Sequence, residues 1–310
     1  MNYKNGNKPR IAFCFSWQAR TLDQTFSLFK KNLFDVAKEQ WFDYDVFCAV
    51  EDDEDVSKVD LLNPTMIEKI KSNEIKKIID KKWGHFIEYE YAEKYGYSLK
   101  NETPNMLQQL YKICQSIKLK NIYKSEKKVS YDIVFKLRFD TPFSRKLNLR
   151  NIFNTIRKSN KILLCNRNRL IPSAKFLIKI EDFYFIMDDK ASDILWDIFD
   201  NWDICFKWYE IKNRKLNRFF ENIDPNRILW KKRPVLAKLM WIPFTYIYAI
   251  FFQPFSAEIL FLNYFENNEI IVNKDEYITI WFIKDINKQK ILDFKTHTKK
   301  RMFKKWDYEI

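Results

Sequence analysis

Residues 11–16 read Ile-Ala-Phe-Cys-Phe-Ser (IAFCFS) and are followed by the polar stretch Trp17-Gln18-Ala19-Arg20. A short apolar run closed by a polar loop is the pattern of a strand buried on both faces. Thr21 then offers an N-cap to a segment in which Leu22, Phe26, Phe29, Leu33 and Val36 recur at spacings of three and four. That is the period of an amphipathic helix. Tyr44 to Val50 (YDVFCAV) is a second apolar run. Strand, crossover helix, strand is a βαβ unit, so the N-terminal third is expected to be an α/β sheet with parallel pairing.

Beyond it, the acidic residues Glu51 to Asp55 lead into a lysine-rich region with weak periodicity up to about Lys100, read as helices and loops. Thr103-Pro104 predicts a helix start, with Leu107, Leu110, Cys114 and Ile117 on its apolar face. Tyr131 to Leu137 (YDIVFKL) predicts a strand ending in Arg138-Phe139-Asp140-Thr141-Pro142, where Pro142 stops regular pairing. Lys161 to Cys165 and Leu177 to Met187 predict further strands, and a helix with Ile194, Leu195, Ile198, Phe199 and Trp202 on one face follows. Glu269 to Val272 and Tyr277 to Ile283 have the pattern of short strands.

Composition narrows the chemistry. The 3 Gly (Gly6, Gly84, Gly96) lie far apart, so neither a Walker A loop nor a GxGxxG dinucleotide turn can be assembled. With 2 His (His85, His297), a multi-histidine zinc site is excluded and a Ser-His-Asp triad has no supporting motif. The 5 Cys are widely spaced, with no CxxC pair, which predicts buried, reduced thiols. The polar Met1 to Arg10 lacks the apolar core of a signal peptide, so a cytoplasmic location is expected. Lys and Arg outnumber Asp and Glu by 55 to 41, a formal charge of +14. Such a field attracts polyanions: nucleic acid, anionic lipid or phosphorylated small molecules.

Val235 to Phe255 (VLAKLMWIPFTYIYAIFFQPF) is strongly apolar and aromatic behind a basic flank, Trp230-Lys231-Lys232-Arg233-Pro234. It is almost long enough to span a bilayer. Lys238, Pro243 and Pro254 argue against a clean span and favour a segment lying at the membrane interface, with plain buried core as the third reading. The expected organisation is a flexible N-terminus (1–9), a catalytic core (10–229), this apolar segment (230–256), the end of the core (257–294) and a basic tail (295–310).

Open α/β sheets bind ligands outside the carboxyl ends of their strands. Two such ends are distinctive here. Ser16, Trp17, Gln18 and Arg20 supply a hydroxyl, an indole, an amide and a guanidinium suited to a nucleotide. Arg138 and Asp140 place a carboxylate beside a cation, an arrangement that suits a divalent metal held against a diphosphate. The plainer alternatives are a surface cap for Arg20 and a structural ion pair for Arg138 with Asp140.

Taken together, IAFCFSWQART (11–21), Tyr44 to Phe47, Gln108-Gln109 and YDIVFKLRFDTPF (131–143) resemble a group of glycosyltransferases of microbial and viral surface-polysaccharide synthesis. In that group a first strand ends in a Ser-Gly-Gln-x-Arg loop and a later one in Arg-x-Asp, the counterpart of the Asp-x-Asp metal motif of GT-A folds. Ile180-Glu181-Asp182-Phe183 looks like the group's Asp-containing strand before a helix, and Ser256-Ala257-Glu258-Ile259-Leu260 is similar to its late Glu segment. The resemblance covers most of residues 10–283.

It implies a GT-A-like, mostly parallel sheet flanked by helices, with a C-terminal apolar and basic appendage. It also implies transfer of a sugar from a nucleotide-sugar donor to a glycan or lipid-linked acceptor, and the apolar, basic-flanked segment adds the expectation of a peripheral membrane enzyme. Ser16, Trp17, Gln18, Arg20, Arg138 and Asp140 would bind the donor, Asp140 would hold Mn2+ or Mg2+, and, for an inverting reaction, Asp182, with Glu181 and Glu258 as alternatives, would be the general base. Two departures stand out. Trp17 occupies the usual glycine position, and Arg138 replaces the first carboxylate of the metal motif. The competing expectations are a basic nucleic-acid-binding protein, which the charge and aromatics suit, and a non-catalytic scaffold on a transferase fold.

Overall fold

The first apolar run forms β1 (Arg10–Trp17), which pairs in parallel with β2 (Asp43–Glu51) on one side and β4 (Ile133–Arg138) on the other. β2 in turn pairs in parallel with β3 (Met66–Ile70). Beyond β4 the sheet continues through β6 (Ile178–Met187), β5 (Ile162–Arg169) and β7 (Ile271–Lys274), in the order β3-β2-β1-β4-β6-β5-β7. β6 runs antiparallel to both its neighbours, and β5 is parallel to β7. The protein is therefore an α/β fold on a mixed, mostly parallel sheet. The computed structural model describes residues 8–52, 55–87, 99–158, 161–169, 178–201, 261, 264–265, 267–274, 281–283 and 291–293. Val235 to Phe255, Trp202, Glu258 and the basic tail lie outside the described residues.

Alternation along β1 feeds two core layers, as a strand buried on both faces must. Ile11, Phe13 and Phe15 enter one layer, and Ala12 and Cys14 the other. The first layer receives the helical crossover to β2: α1 (Leu22–Phe29), a π-helical turn at Lys30–Phe34 and α2 (Asp35–Glu39). The single helix read from periodicity thus contains a wide turn, which buries Asn32, Leu33 and Phe34 in succession. Thr21 takes the N-cap position of α1 as expected, but its side chain makes no cap hydrogen bond and its hydroxyl is buried without a hydrogen-bond partner.

The second layer is covered by α3 (Ser72–Ile87) and α4 (Leu99–Lys127), and α4 lies against β1, β2 and β3. α4 begins before Pro104, so this proline does not mark its start. Its missing N–H costs only the bond to the Lys100 carbonyl near the helix N-terminus. β3 forms within the region read as helices and loops. α5 (Leu149–Arg157), capped by the Asn148 side chain, packs Ile152, Phe153 and Ile156 onto the first layer. α6 (Asp189–Trp196), capped by Asp188, closes over α4 through Lys120, which reaches Asp189, Ser192 and Asp193. β8 (Trp281–Ile283) and β9 (Ile291–Asp293) form a separate antiparallel pair. Among the described residues, no helix is long and apolar enough to cross a membrane.

Candidate functional site

Strand order reverses at β1, because its crossover leads to β2 on one side whereas the chain returns from β3 to β4 on the other. The crevice outside the carboxyl ends of β1 and β4 is the topological switch point at which open α/β sheets bind ligands. Ser16 and Arg138 are register partners there, and Trp17 follows directly.

Trp17 has φ 119°, a backbone region that favours glycine. A side chain held there carries strain of order 1–3 kcal/mol, and such strain gathers at functional sites. Position 17 therefore has glycine-like backbone geometry even with a tryptophan in it. The indole is half-buried. The Arg138 guanidinium carbon lies 4.3 Å from its ring centroid, and the Lys112 ammonium from α4 lies 5.7 Å from it. Both distances fall in the range where a cation is attracted to an aromatic face.

Each cation is also tied to a carboxylate. Arg138 donates from Nε to Asp140 Oδ1 at 2.9 Å and from its terminal nitrogen to Oδ2 at 2.7 Å, a bidentate pair with side chains 10% and 6% exposed. Lys112 Nζ donates to Glu51 Oε1 at 2.7 Å, with side chains 4% and 10% exposed. Arg138 lies over the Phe183 ring of β6 as well, at 5.5 Å.

The loop bearing Asp140 is held from the opposite layer. Thr25 on α1 donates its hydroxyl to the Phe139 carbonyl at 2.7 Å, and Asn32 in the π-helical turn donates to the Phe143 carbonyl at 2.6 Å. Phe139 stacks on Phe15 with centroids 5.4 Å apart. The polar residues of the first crossover thereby fix the loop after β4.

Of the sequence candidates, Ser16, Trp17, Arg138 and Asp140 come together. Gln18 is half-buried and Arg20 exposed, the carbonyl of Arg20 accepting from Lys58 at 2.8 Å. Glu181 and Asp182 belong to the backbone of β6, but their side chains, like the whole of Glu258, lie outside the described residues. Lys112 and Glu51 are the site residues that sequence reasoning missed. The available signals were an acid closing the apolar run of β2 and a lysine one turn after Gln108 on a largely apolar helix face.

Among the described residues, the donors around Asp140 do not fit a divalent cation. Both its oxygens accept from Arg138, and Glu51 is engaged by Lys112. Among the described residues no group of three or more metal-ligating side chains converges. A thiol nucleophile is disfavoured too, since burial pushes Cys14 on β1 up to about 12 despite the opposing effect of Lys120, and burial raises Cys48 on β2.

No protein-family model and no curated protein matches the sequence. Among solved structures the chain is similar to the apo form of the bifunctional glycosyltransferase WbbM, at 10% identity and a TM-score of 0.33. That match covers 64% of this chain and 35% of WbbM, so the chain spans about a third of that protein's length. It is also similar to apo mouse xyloside xylosyltransferase 1, at 10% identity and a TM-score of 0.30, over 62% of this chain and 71% of that one.

Proposed function

We propose that this protein is a glycosyltransferase that moves a sugar from a nucleotide-sugar donor to a glycan or lipid-linked acceptor in the synthesis of a surface polysaccharide or glycoconjugate. The supporting observation is the pair of buried cations, Arg138 and Lys112, gathered around Trp17 at the switch point of the sheet. Two cations and an aromatic ring match the two parts of a nucleoside diphosphate, its charge and its base.

In the reaction, the bond between the anomeric carbon and the diphosphate oxygen breaks, and the leaving group takes the electron pair. A bond from the acceptor oxygen to that carbon forms through an oxocarbenium-like transition state. The acceptor proton passes to a carboxylate, for which Asp182 is the first candidate and Glu181 and Glu258 the alternatives. Charge growing on the leaving diphosphate is met by cations already in place, a term that is usually large. The basic surface would hold the enzyme to an anionic membrane or a pyrophosphate-linked acceptor.

The test is release of the free nucleotide (UDP, GDP, CMP or dTDP) from a panel of UDP-, GDP-, CMP- and dTDP-sugars, followed by chromatography with and without membrane lipid extract. Turnover of one donor class, lost in Arg138→Ala, is the expected result. Absence of turnover and of nucleotide binding across the panel would overturn the proposal. Steeply salt-dependent binding of an oligonucleotide would then favour a nucleic-acid-binding protein.

A further inference from the structure

We infer that the diphosphate is held without a metal ion, by a cationic clasp in which Arg138 and Lys112 exchange their carboxylate partners for phosphate oxygens beside the Trp17 ring. The inference rests on the transferase proposal and adds the means of charge neutralisation and the exchange of Asp140 and Glu51 for phosphate.

Both carboxylates at the strand ends, Asp140 and Glu51, are already occupied by cations, at 2.7–2.9 Å and 2.7 Å. A metal at Asp140 would have to compete with a bidentate guanidinium, whereas a diphosphate would take the place of the carboxylates on the same two cations. The guanidinium fork and the ammonium suit phosphate oxygens in complementary ways, one planar and bidentate, the other a compact charge.

Placement favours exchange over a fixed structural role. The two ion pairs arise from three elements, β2, β4 and α4, and meet at one half-buried indole on a strained backbone. Ser16 Oγ, on the residue in register with Arg138, is buried without a hydrogen-bond partner, as is Thr21 Oγ1. Unpaired buried hydroxyls are uncommon in a region whose only role is structural.

A cationic clasp also orders the affinities. Departure of the sugar adds a negative charge to the diphosphate, so the clasp holds the product more tightly than the donor and favours the transition state between them.

The experiment is calorimetric titration of the full-length protein with UDP, GDP, CDP and dTDP, in EDTA and in manganese. One nucleoside diphosphate is expected to bind in EDTA with a dissociation constant within about twofold of that in manganese, and more tightly than its sugar conjugate. Lys112→Met is expected to weaken it by about 10- to 100-fold, the scale of a charge-assisted hydrogen bond. Because that variant strands Glu51, the double variant Glu51→Gln with Lys112→Met serves where the single one does not fold. Asp140→Asn frees Arg138 from its competitor and is expected to tighten binding several-fold. Binding that requires manganese and disappears in Asp140→Asn would overturn the clasp and leave the transferase proposal standing. Binding in EDTA that is indifferent to the loss of Lys112 would overturn it as well. Binding of no nucleoside diphosphate under either condition would overturn both.

Discussion

The guanidinium of Arg138 lies over the indole of Trp17, 4.3 Å from the ring centroid, although the two residues are more than a hundred positions apart in sequence. The contact joins the ends of β1 and β4. It also sets two properties of Trp17 against each other, since the backbone at this position suits glycine while the side chain holds a cation.

Substitution separates those properties. Alanine loses the ring and keeps the positive-φ strain, whereas glycine loses the ring and relieves the strain. Trp17→Gly is expected to be more stable than Trp17→Ala by about 1 kcal/mol in urea titration, the reverse of the usual order. Equal stability, or a more stable alanine variant, would show that φ 119° is not maintained in solution.

Removing one partner of a buried ion pair strands the other. Asp140→Ala is expected to destabilise the protein by about 3–5 kcal/mol, and adding Arg138→Met is expected to recover part of that loss. A double variant as unstable as the sum of the single ones would mean the pair is not coupled.

The hydroxyl of Thr25 supports the loop after β4 from α1, in the core layer that Phe139 and Phe143 share. Thr25→Val leaves the buried Phe139 carbonyl without this donor, at a cost of about 1–3 kcal/mol. Donor turnover is expected to fall more than global stability explains, measured well below the melting temperature. Unchanged kcat/KM in the valine variant would remove the loop from the site.

Acid sensitivity is expected at Asp189. Burial alone would raise its carboxyl, but Lys120 and Lys124 outweigh burial and hold it below its ordinary 3.8. A carboxyl depressed in the folded state stabilises the protein at pH values above 3.8 and loses that contribution as pH falls through its lower folded value. Asp189→Asn is therefore expected to lower stability at neutral pH and to flatten its dependence on pH below about 4. An unchanged acid limb in chemical denaturation would contradict this.

Burial also predicts inert thiols. Cys14 and Cys114 are pushed up to about 12 and Cys48 is raised, each chiefly by removal from water. Peptide mapping after iodoacetamide treatment at pH 8 should find these three unmodified in the native protein and modified in denaturant.

β1, β2 and β4 were legible because strands buried on both faces are written as uninterrupted apolar runs, and IAFCFS, YDVFCAV and YDIVFKL need no partner to be recognised. β3 was not, since Met66–Ile70 is short and mixes charged with apolar residues, whereas α5 is written in the helical spacing of Leu149, Ile152, Phe153 and Ile156 behind the Asn148 cap. Proline at 104 misled for a related reason: it is compatible with a helix start and also tolerated within the opening turns of a longer helix. At the site, Arg138 and Asp140 are two residues apart, so their pairing could be weighed from sequence as one of two alternatives.

By itself the sequence determined the buried strands β1, β2 and β4, the helical crossover between the first two, the absence of glycine phosphate loops, and the residues that close β1 and β4, because periodicity and composition are local quantities. Tertiary structure alone decided that Lys112 crosses to Glu51, 61 residues away, and that both oxygens of Asp140 face a guanidinium. The physical reason is desolvation: once the sheet and α4 exclude water, each buried charge must find its partner wherever the fold has placed one.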